Sequence, residues 1–303
     1  MSPRNNRRGI VAMLLAMSFF IANDSLLKLA SATLPPGQIM AVRGFFATAI
    51  ALSIVAGTGQ LKSLTKLASP FGMLRGCLEA VVAFLFISSL PHLPIAIITA
   101  IVQSTPLIMT LAMVMLGLER VGWRRWSAIV VGFLGVLVIV RPGPAGLNIY
   151  AFLALAAAVL VAGRDLATRF VPADVPSTVV ALASTAAVGI AGVLAGFGET
   201  WPPLATRELS YILGAAVLVT LGNLFNIIAF RDTDISVVAP FRYSVILWAI
   251  LSGLVIFGEL LDPTAFVGIA LIVASGVYTI HREQVRQREA VRSEAVLRTR
   301  EAA

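Results

Sequence analysis

Residues 23–35 read NDSLLKLASATLP, and residues 164–176 read RDLATRFVPADVP. The two stretches resemble each other, because their charges and prolines occur in the same order when the chain is shifted by 140 to 141 positions. Within the two stretches, the coinciding pairs are Asp24 and Asp165, Lys28 and Arg169, and Pro35 and Pro176. Further along the chain, Glu119 coincides with Glu259. Chance similarity between apolar segments is the alternative, but the matched positions are mostly charges and prolines. The pattern therefore indicates an internal duplication.

Around these copies, apolar runs close to the ~20 residues that cross a bilayer repeat along the chain. Only 13% of the residues are charged and 58% are hydrophobic, whereas soluble domains carry roughly 25% charged residues. Transmembrane strands need only about 10 residues of alternating character, so helices are expected. We predict ten spans, at about 9–30, 37–56, 69–90, 93–116, 124–140, 147–168, 175–196, 209–230, 236–257 and 263–280.

Each copy of the repeat then carries five spans, and an odd number makes the second copy enter the membrane from the opposite face. The predicted fold class is an all-α integral membrane protein with ten transmembrane helices as two inverted five-helix repeats. The predicted units are a cytoplasmic N-terminus at 1–8, a first repeat at 9–141, a second repeat at 147–281 and a basic cytoplasmic tail at 282–303.

Basic residues concentrate at alternate joints between the spans. They precede the first span and follow the second, fourth, sixth and eighth, whereas the opposite joints hold few. By the positive-inside rule, this distribution predicts a multi-pass protein of the inner membrane with both termini in the cytoplasm. The formal charge of +8 therefore indicates contact with the lipid bilayer and not with nucleic acid.

The sequence contains few histidines and cysteines that could bind a metal or take part in thiol chemistry. The chain has two histidines and one cysteine, Cys77, so no intrachain disulfide can form. Neither H-E-x-x-H nor G-x-S-x-G occurs. We predict no metal site, no cofactor and no catalytic residues.

A family resemblance rests on the ends of the fourth and ninth spans and on the proline after the first span of each half. Residues 116–126 read LGLERVGWRRW, and Gly258 and Glu259 end the ninth span. With the five-plus-five organisation, these features resemble the EamA-type drug/metabolite transporter superfamily. The resemblance implies a central cavity lined by the first four helices of each half and a small-molecule solute as the partner. It does not imply one substrate.

Ionisable residues inside spans need a partner or a function, because each costs ~3 kcal/mol at mid-bilayer. Opposite charges four residues apart share a helix face. This spacing predicts three ion pairs, namely Asp24 with Lys28, Arg75 with Glu79, and Asp165 with Arg169. Glu79 is the residue of greatest interest: paired with Arg75 it is structural, and unpaired it is a candidate proton carrier.

Other polar and aromatic side chains within the spans are further candidates for contact with a solute. Gln103 belongs to a stripe on the fourth span, where Pro106 frees a backbone carbonyl. Such groups suit a neutral or zwitterionic solute, although hydrogen bonding between helices explains any one of them equally well. The predicted substrate-binding residues are Asn23, Asp24, Glu79, Gln103, Arg164, Asp165, Asn223, Asn226, Tyr243 and Trp248.

The predicted function is secondary transport of a small organic metabolite by alternating access. A planar vitamin such as riboflavin or an amino acid fits the side chains, and S-adenosylmethionine or another metabolite remains an alternative within the same fold. A membrane-embedded enzyme with intramembrane carboxylates is the alternative of another class. Two G-x-x-x-G motifs, at 72–76 and 192–196, leave a homodimer open.

Overall fold

The computed structural model describes residues 3–68, 70–118, 122–141, 148–168, 170–171, 174–230, 233 and 235–301, and within them it is helical without strands. Two 3₁₀ helices cover Leu61–Ala68 and Ala239–Tyr243. The α-helices are α1 Pro3–Ala30, α2 Pro36–Gly57, α3 Pro70–Ser89, α4 Ile95–Val102, α5 Thr105–Met115, α6 Trp123–Val140, α7 Ile149–Thr168, α8 Ser177–Gly196, α9 Thr206–Phe230, α10 Ile235–Val238, α11 Ser244–Phe257 and α12 Pro263–Glu301.

Ten helical segments of the described chain are long and apolar enough to cross a membrane, which confirms the predicted number. The fourth span, Ile95–Met115, joins α4 and α5, and the ninth, Ala239–Phe257, joins a 3₁₀ helix and α11. Helix α12 continues beyond the predicted span end at residue 280 as far as Glu301.

Prolines and left-handed residues set many of the helix ends. Pro36, Pro70 and Pro263 are the first residues of their helices, where a missing N–H has no cost and the fixed φ suits the helix. Helix α11 is followed by Gly258, whose φ of 63° lies in the left-handed region that favours glycine. Helix α6 is followed by Arg141, with a φ of 48°.

The fourth span is broken at the position that its proline predicts. Helix α4 ends at Val102, and α5 begins at Thr105 with Pro106 in its first turn. Pro106 cannot donate to the carbonyl of Val102, and the hydroxyl of Thr105 donates to it instead, at 2.6 Å. The ninth span is irregular at the matching place, where the 3₁₀ helix precedes α11.

The helices pack in pairs that exchange under the repeat. Helix α1 packs most extensively on α9, and α3 on α7; α2 packs on α8, α4 on α11 and α6 on α12. If the two halves are exchanged, the α1–α9 contact becomes the α7–α3 contact. The α2–α8, α4–α11 and α6–α12 contacts are each unchanged by the exchange. This is the pattern expected of two five-helix repeats related by a pseudo-two-fold axis. Buried apolar side chains from both halves form the main core between them.

Glycines bring α2 and α8 into backbone contact at their crossing. A Cβ on Gly189 would lie 3.2 Å from the carbonyl carbon of Gly44. A Cβ on Gly192 would lie 2.7 Å from the Cβ of Met40, and one on Gly76 would lie 3.4 Å from the Cβ of Ala187. Glycines of both G-x-x-x-G motifs therefore serve helix packing within one chain, and the homodimer stays a prediction.

Candidate functional site

Six charged side chains from four helices interact between the helices of the bundle, and among them the side chain of Asp165 is 41% exposed. Helices α1, α2 and α3 belong to the first repeat, and α7 belongs to the second. We call this group the central charged cluster, and it consists of Asp24, Arg43, Arg75, Glu79, Arg164 and Asp165. Charges that face one another in the membrane interior compensate part of their desolvation cost, which explains why an apolar bundle tolerates six of them.

Arg164 is the best connected member of the cluster. One terminal nitrogen of its guanidinium lies 3.1 and 3.2 Å from the two carboxylate oxygens of Glu79. Its Nε and its other terminal nitrogen donate to Oδ1 of Asp165, at 3.0 and 2.7 Å. Arg164 thus links α7 to α3, and its fork of donors suits two carboxylates at once.

Arg75 adds a second guanidinium beside Glu79. It donates to the hydroxyls of Thr168 and Ser184, on α7 and α8. Its distance to the Glu79 carboxylate is 4.0 Å, so the predicted Arg75–Glu79 pair forms only at the limit of an ion pair. Glu79 has Arg164 as its closer partner, and the hypothesis of an unpaired proton carrier does not fit this arrangement.

Asp24 and Asn23 extend the cluster to α1. The amide of Asn23 donates to Oδ1 of Asp24 at 2.8 Å. The predicted Asp24–Lys28 pair is wrong, because the Lys28 ammonium instead pairs with Glu259 of the second repeat, at 2.5 Å. Asp24 instead interacts electrostatically with Arg43. The third predicted pair cannot be followed, since Arg169 lies outside the described residues, as does Glu119.

Arg43 on α2 is the cluster member that sequence reasoning missed. Its side chain interacts electrostatically with Asp24 and Glu79, and its Nε is buried without a hydrogen-bond partner. A basic residue in the middle of an apolar span was the signal that could have found it. No acidic residue lies four positions from Arg43, so the spacing used to predict ion pairs did not indicate it. A buried donor without an acceptor is the position that a ligand oxygen can satisfy.

The remaining predicted residues lie apart from these contacts. Gln103 lies at the break between α4 and α5. Asn226 is partly buried, with a side-chain oxygen that has no partner, and Asn223 is exposed. Tyr243 is 6% exposed and packs against Gly276 of α12, while Trp248 is 36% exposed. No hydrogen bond or ion pair among the described residues joins these five to the central charged cluster.

The cluster combines three cations with three anions, which suits a solute that carries both signs of charge. The acidic side chains of the cluster are not grouped as ligands of a metal ion. The described part of the chain contains no group of three or more histidine, cysteine or acidic side chains placed to hold a metal ion. The six charged side chains of the cluster can form hydrogen bonds and ion pairs with a polar solute.

Comparisons with known proteins identify several relatives that are named as exporters or transporters. The chain is 25% identical over 270 residues to the pseudopaline exporter of Pseudomonas aeruginosa, covering 89% of this chain and 94% of the relative. It is 27% identical over 280 residues to the S-adenosylmethionine uptake transporter of Rickettsia bellii, at 91% and 94% coverage. It is 25% identical over 285 residues to the riboflavin transporter of Vibrio cholerae, at 93% and 95% coverage.

A solved structure described as "Crystal structure of protein" shares the fold, with a TM-score of 0.58 and 18% identity over 88% of this chain and 96% of that one. The model of the EamA-like transporter family matches residues 7–141 and again residues 148–280. Two matches in tandem are what the duplicated sequence predicts. The chain belongs to the EamA-like transporter family.

Proposed function

We propose that the protein is a secondary transporter that carries a small organic solute across the inner membrane by alternating access, with both termini in the cytoplasm. The observation that carries the proposal is the central charged cluster, because it joins side chains of both repeats inside an apolar bundle. A site at the interface between repeats faces one side of the membrane or the other as the repeats move. The relatives named as transporters support the same function.

The charges of the cluster favour a zwitterionic solute with a carboxylate. Arg43 has a buried donor without a partner, and Asp24 is the acid of the cluster beside it. An amino acid or an amino-acid derivative presents a carboxylate to the first and an ammonium group to the second. S-adenosylmethionine has both groups, and riboflavin, which has neither, would depend on stacking and hydrogen bonding.

A thermal-shift screen tests this substrate class. Ligand bound to the folded state raises its stability by about 2.7 kcal/mol at a concentration of 100 Kd. We expect an amino acid or S-adenosylmethionine to raise the unfolding midpoint of the purified protein. Arg43→Gln should remove that rise, whereas Arg141→Gln, at a half-exposed arginine outside the cluster, should keep it. A rise with riboflavin alone would contradict the zwitterion.

A further inference from the structure

The ends of three helices are joined on one face of the membrane by a buried ion pair that is separate from the central charged cluster. Lys28 lies at the end of α1, Glu259 follows α11, and Ile95 begins α4. We call the membrane face at which α1 ends the outer face. We propose that Lys28 and Glu259 form the outer gate, an ion pair that closes the path from the outer face to the central charged cluster and separates when the solute passes. This inference rests on the proposed transport function.

Both charged groups of the gate also form hydrogen bonds with the backbone. The Lys28 ammonium donates to Oε1 of Glu259 and to the carbonyl of Leu93, each at 2.5 Å. The other carboxylate oxygen of Glu259 accepts the N–H of Ile95 at 2.9 Å. The anion therefore also lies at the N-terminal end of α4, where the helix dipole favours negative charge.

Burial distinguishes this pair from an ordinary surface ion pair. The side chains of Lys28 and Glu259 are 9% and 16% exposed. Arg141 and Asp262 form an ion pair between α6 and α12 on the same face, at 2.7 Å, but these side chains are 52% and 49% exposed. Exposed pairs contribute little to a conformational equilibrium, whereas removing a partner from a buried pair has a large effect.

The position of the pair gives it a role in the transport cycle. Lys28 and Ile95 belong to the first repeat, and Glu259 belongs to the second, so movement of one repeat against the other must change these bonds. One turn deeper, the hydroxyls of Ser25 and Ser252 lie 2.6 Å apart and also join α1 to α11. Asp24 of the cluster precedes Lys28 by four residues, about 6 Å along the helix. The pair thus lies between the cluster and the outer face.

Cysteine accessibility tests the gate without knowledge of the substrate. Cys77, the single cysteine, is replaced by serine, and a reporter cysteine is introduced by Thr99→Cys or Asn23→Cys. Thr99 lies one turn into α4 beyond Ile95 and is 6% exposed, and Asn23 is 4% exposed. A membrane-impermeant methanethiosulfonate reagent is applied to each face in right-side-out and inside-out vesicles. The labelling rate is compared between the parent, Lys28→Met/Glu259→Gln, and the control Arg141→Met/Asp262→Asn.

We expect Lys28→Met/Glu259→Gln to raise the labelling rate from the outer face by about tenfold or more, because loss of the pair shifts the population toward the outward-open state. The control should label at the parent rate. Unchanged labelling at both reporters would overturn the gate, and so would equal acceleration from both faces, which indicates general loosening of the bundle.

Two measures separate the gate from a failure to fold and from a failure of the transport function. If the double variant is not monodisperse after solubilisation, Glu259→Gln alone is used, because its amide oxygen still accepts from Ile95 while the charge is removed. Labelling requires no solute. A chain that carries none of the tested metabolites but gains outer-face accessibility would retain the gate and lose the proposed function.

Discussion

At the scale of single residues, Glu79 is the acid that lies near two guanidinium groups of the central charged cluster. Its carboxylate lies 3.1 Å from Arg164 and 4.0 Å from Arg75. Without that negative charge, the two arginines would face each other with less compensation, and Arg164 would keep only Asp165. In the proposed binding site, the orientation of both guanidinium groups therefore depends in part on this carboxylate.

We predict that Glu79→Gln abolishes solute flux without loss of membrane insertion, because glutamine keeps the size of the side chain and removes the charge that orients Arg164. Gln103→Ala, at the break of the fourth span, is expected to give the same result. Flux is measured in proteoliposomes, and folding is measured by monodispersity in detergent. Asp262→Asn, at a half-exposed acid outside the cluster, is the control. Wild-type flux in either variant would remove that residue from the site.

Asp262 at the start of α12 provides a pH prediction. Hydrogen bonds from the N–H of Ala265, the hydroxyl of Thr264 and the guanidinium of Arg141 hold the pKa of the Asp262 carboxyl below its ordinary value. A lowered folded-state pKa contributes stability above the unfolded-state pKa, and this stability is lost as pH falls through the folded-state value.

The unfolding midpoint of Asp262→Asn should accordingly lie slightly below that of the parent at pH 7, and the difference should shrink in strongly acidic buffer. Thermal unfolding of the two proteins across pH 7 to about pH 3 measures it, since an unperturbed aspartate titrates near 3.9. A difference that grows toward acid would contradict the assigned hydrogen bonds.

At the scale of elements, the contact between α2 and α8 holds the two repeats together near their shared axis. Gly44 and Gly189 let the two backbones touch, and any Cβ at Gly44 would overlap the backbone of Gly189. A Cβ at Gly57, at the end of the same helix, would meet no heavy atom within 4 Å. Gly44 and Gly57 therefore form a matched pair for substitution.

We predict that Gly44→Leu destabilises the protein by about 1–3 kcal/mol or more, the usual cost of overpacking, whereas Gly57→Leu is tolerated. Thermal unfolding in detergent and the yield of monodisperse protein check both variants. Equal midpoints would show that α2 and α8 separate easily and would contradict the described crossing.

At the scale of the whole molecule, spans and repeats could be predicted because hydropathy and duplication are visible along the chain. The break near Pro106 was likewise a local consequence of a missing N–H. The partners of individual side chains were harder to predict from the sequence. Lys28 and Glu259 are 231 residues apart, so spacing rules within one helix assigned Lys28 to Asp24, which is wrong.

The candidate site shows the same division between local and distant information. The sequence indicates four members of the cluster, because each is a charge inside a span whose position is marked by ion-pair spacing or by the repeat. These are Asp24, Glu79, Arg164 and Asp165. Tyr243 is a predicted substrate-binding residue, yet it packs against Gly276. Which face of an apolar helix meets the other repeat depends on packing between helices, and composition does not encode it.

Counterflow in proteoliposomes tests the central claim most directly. Vesicles that contain the purified protein are loaded with an amino acid, S-adenosylmethionine or riboflavin, and a trace of the labelled solute is added outside. A carrier with one site that faces each side in turn predicts saturable uptake in which the label transiently exceeds its equilibrium level, with Glu79→Gln vesicles at background. Uptake that rises in proportion to concentration without an overshoot, or no counterflow for any of these solutes, would contradict the account.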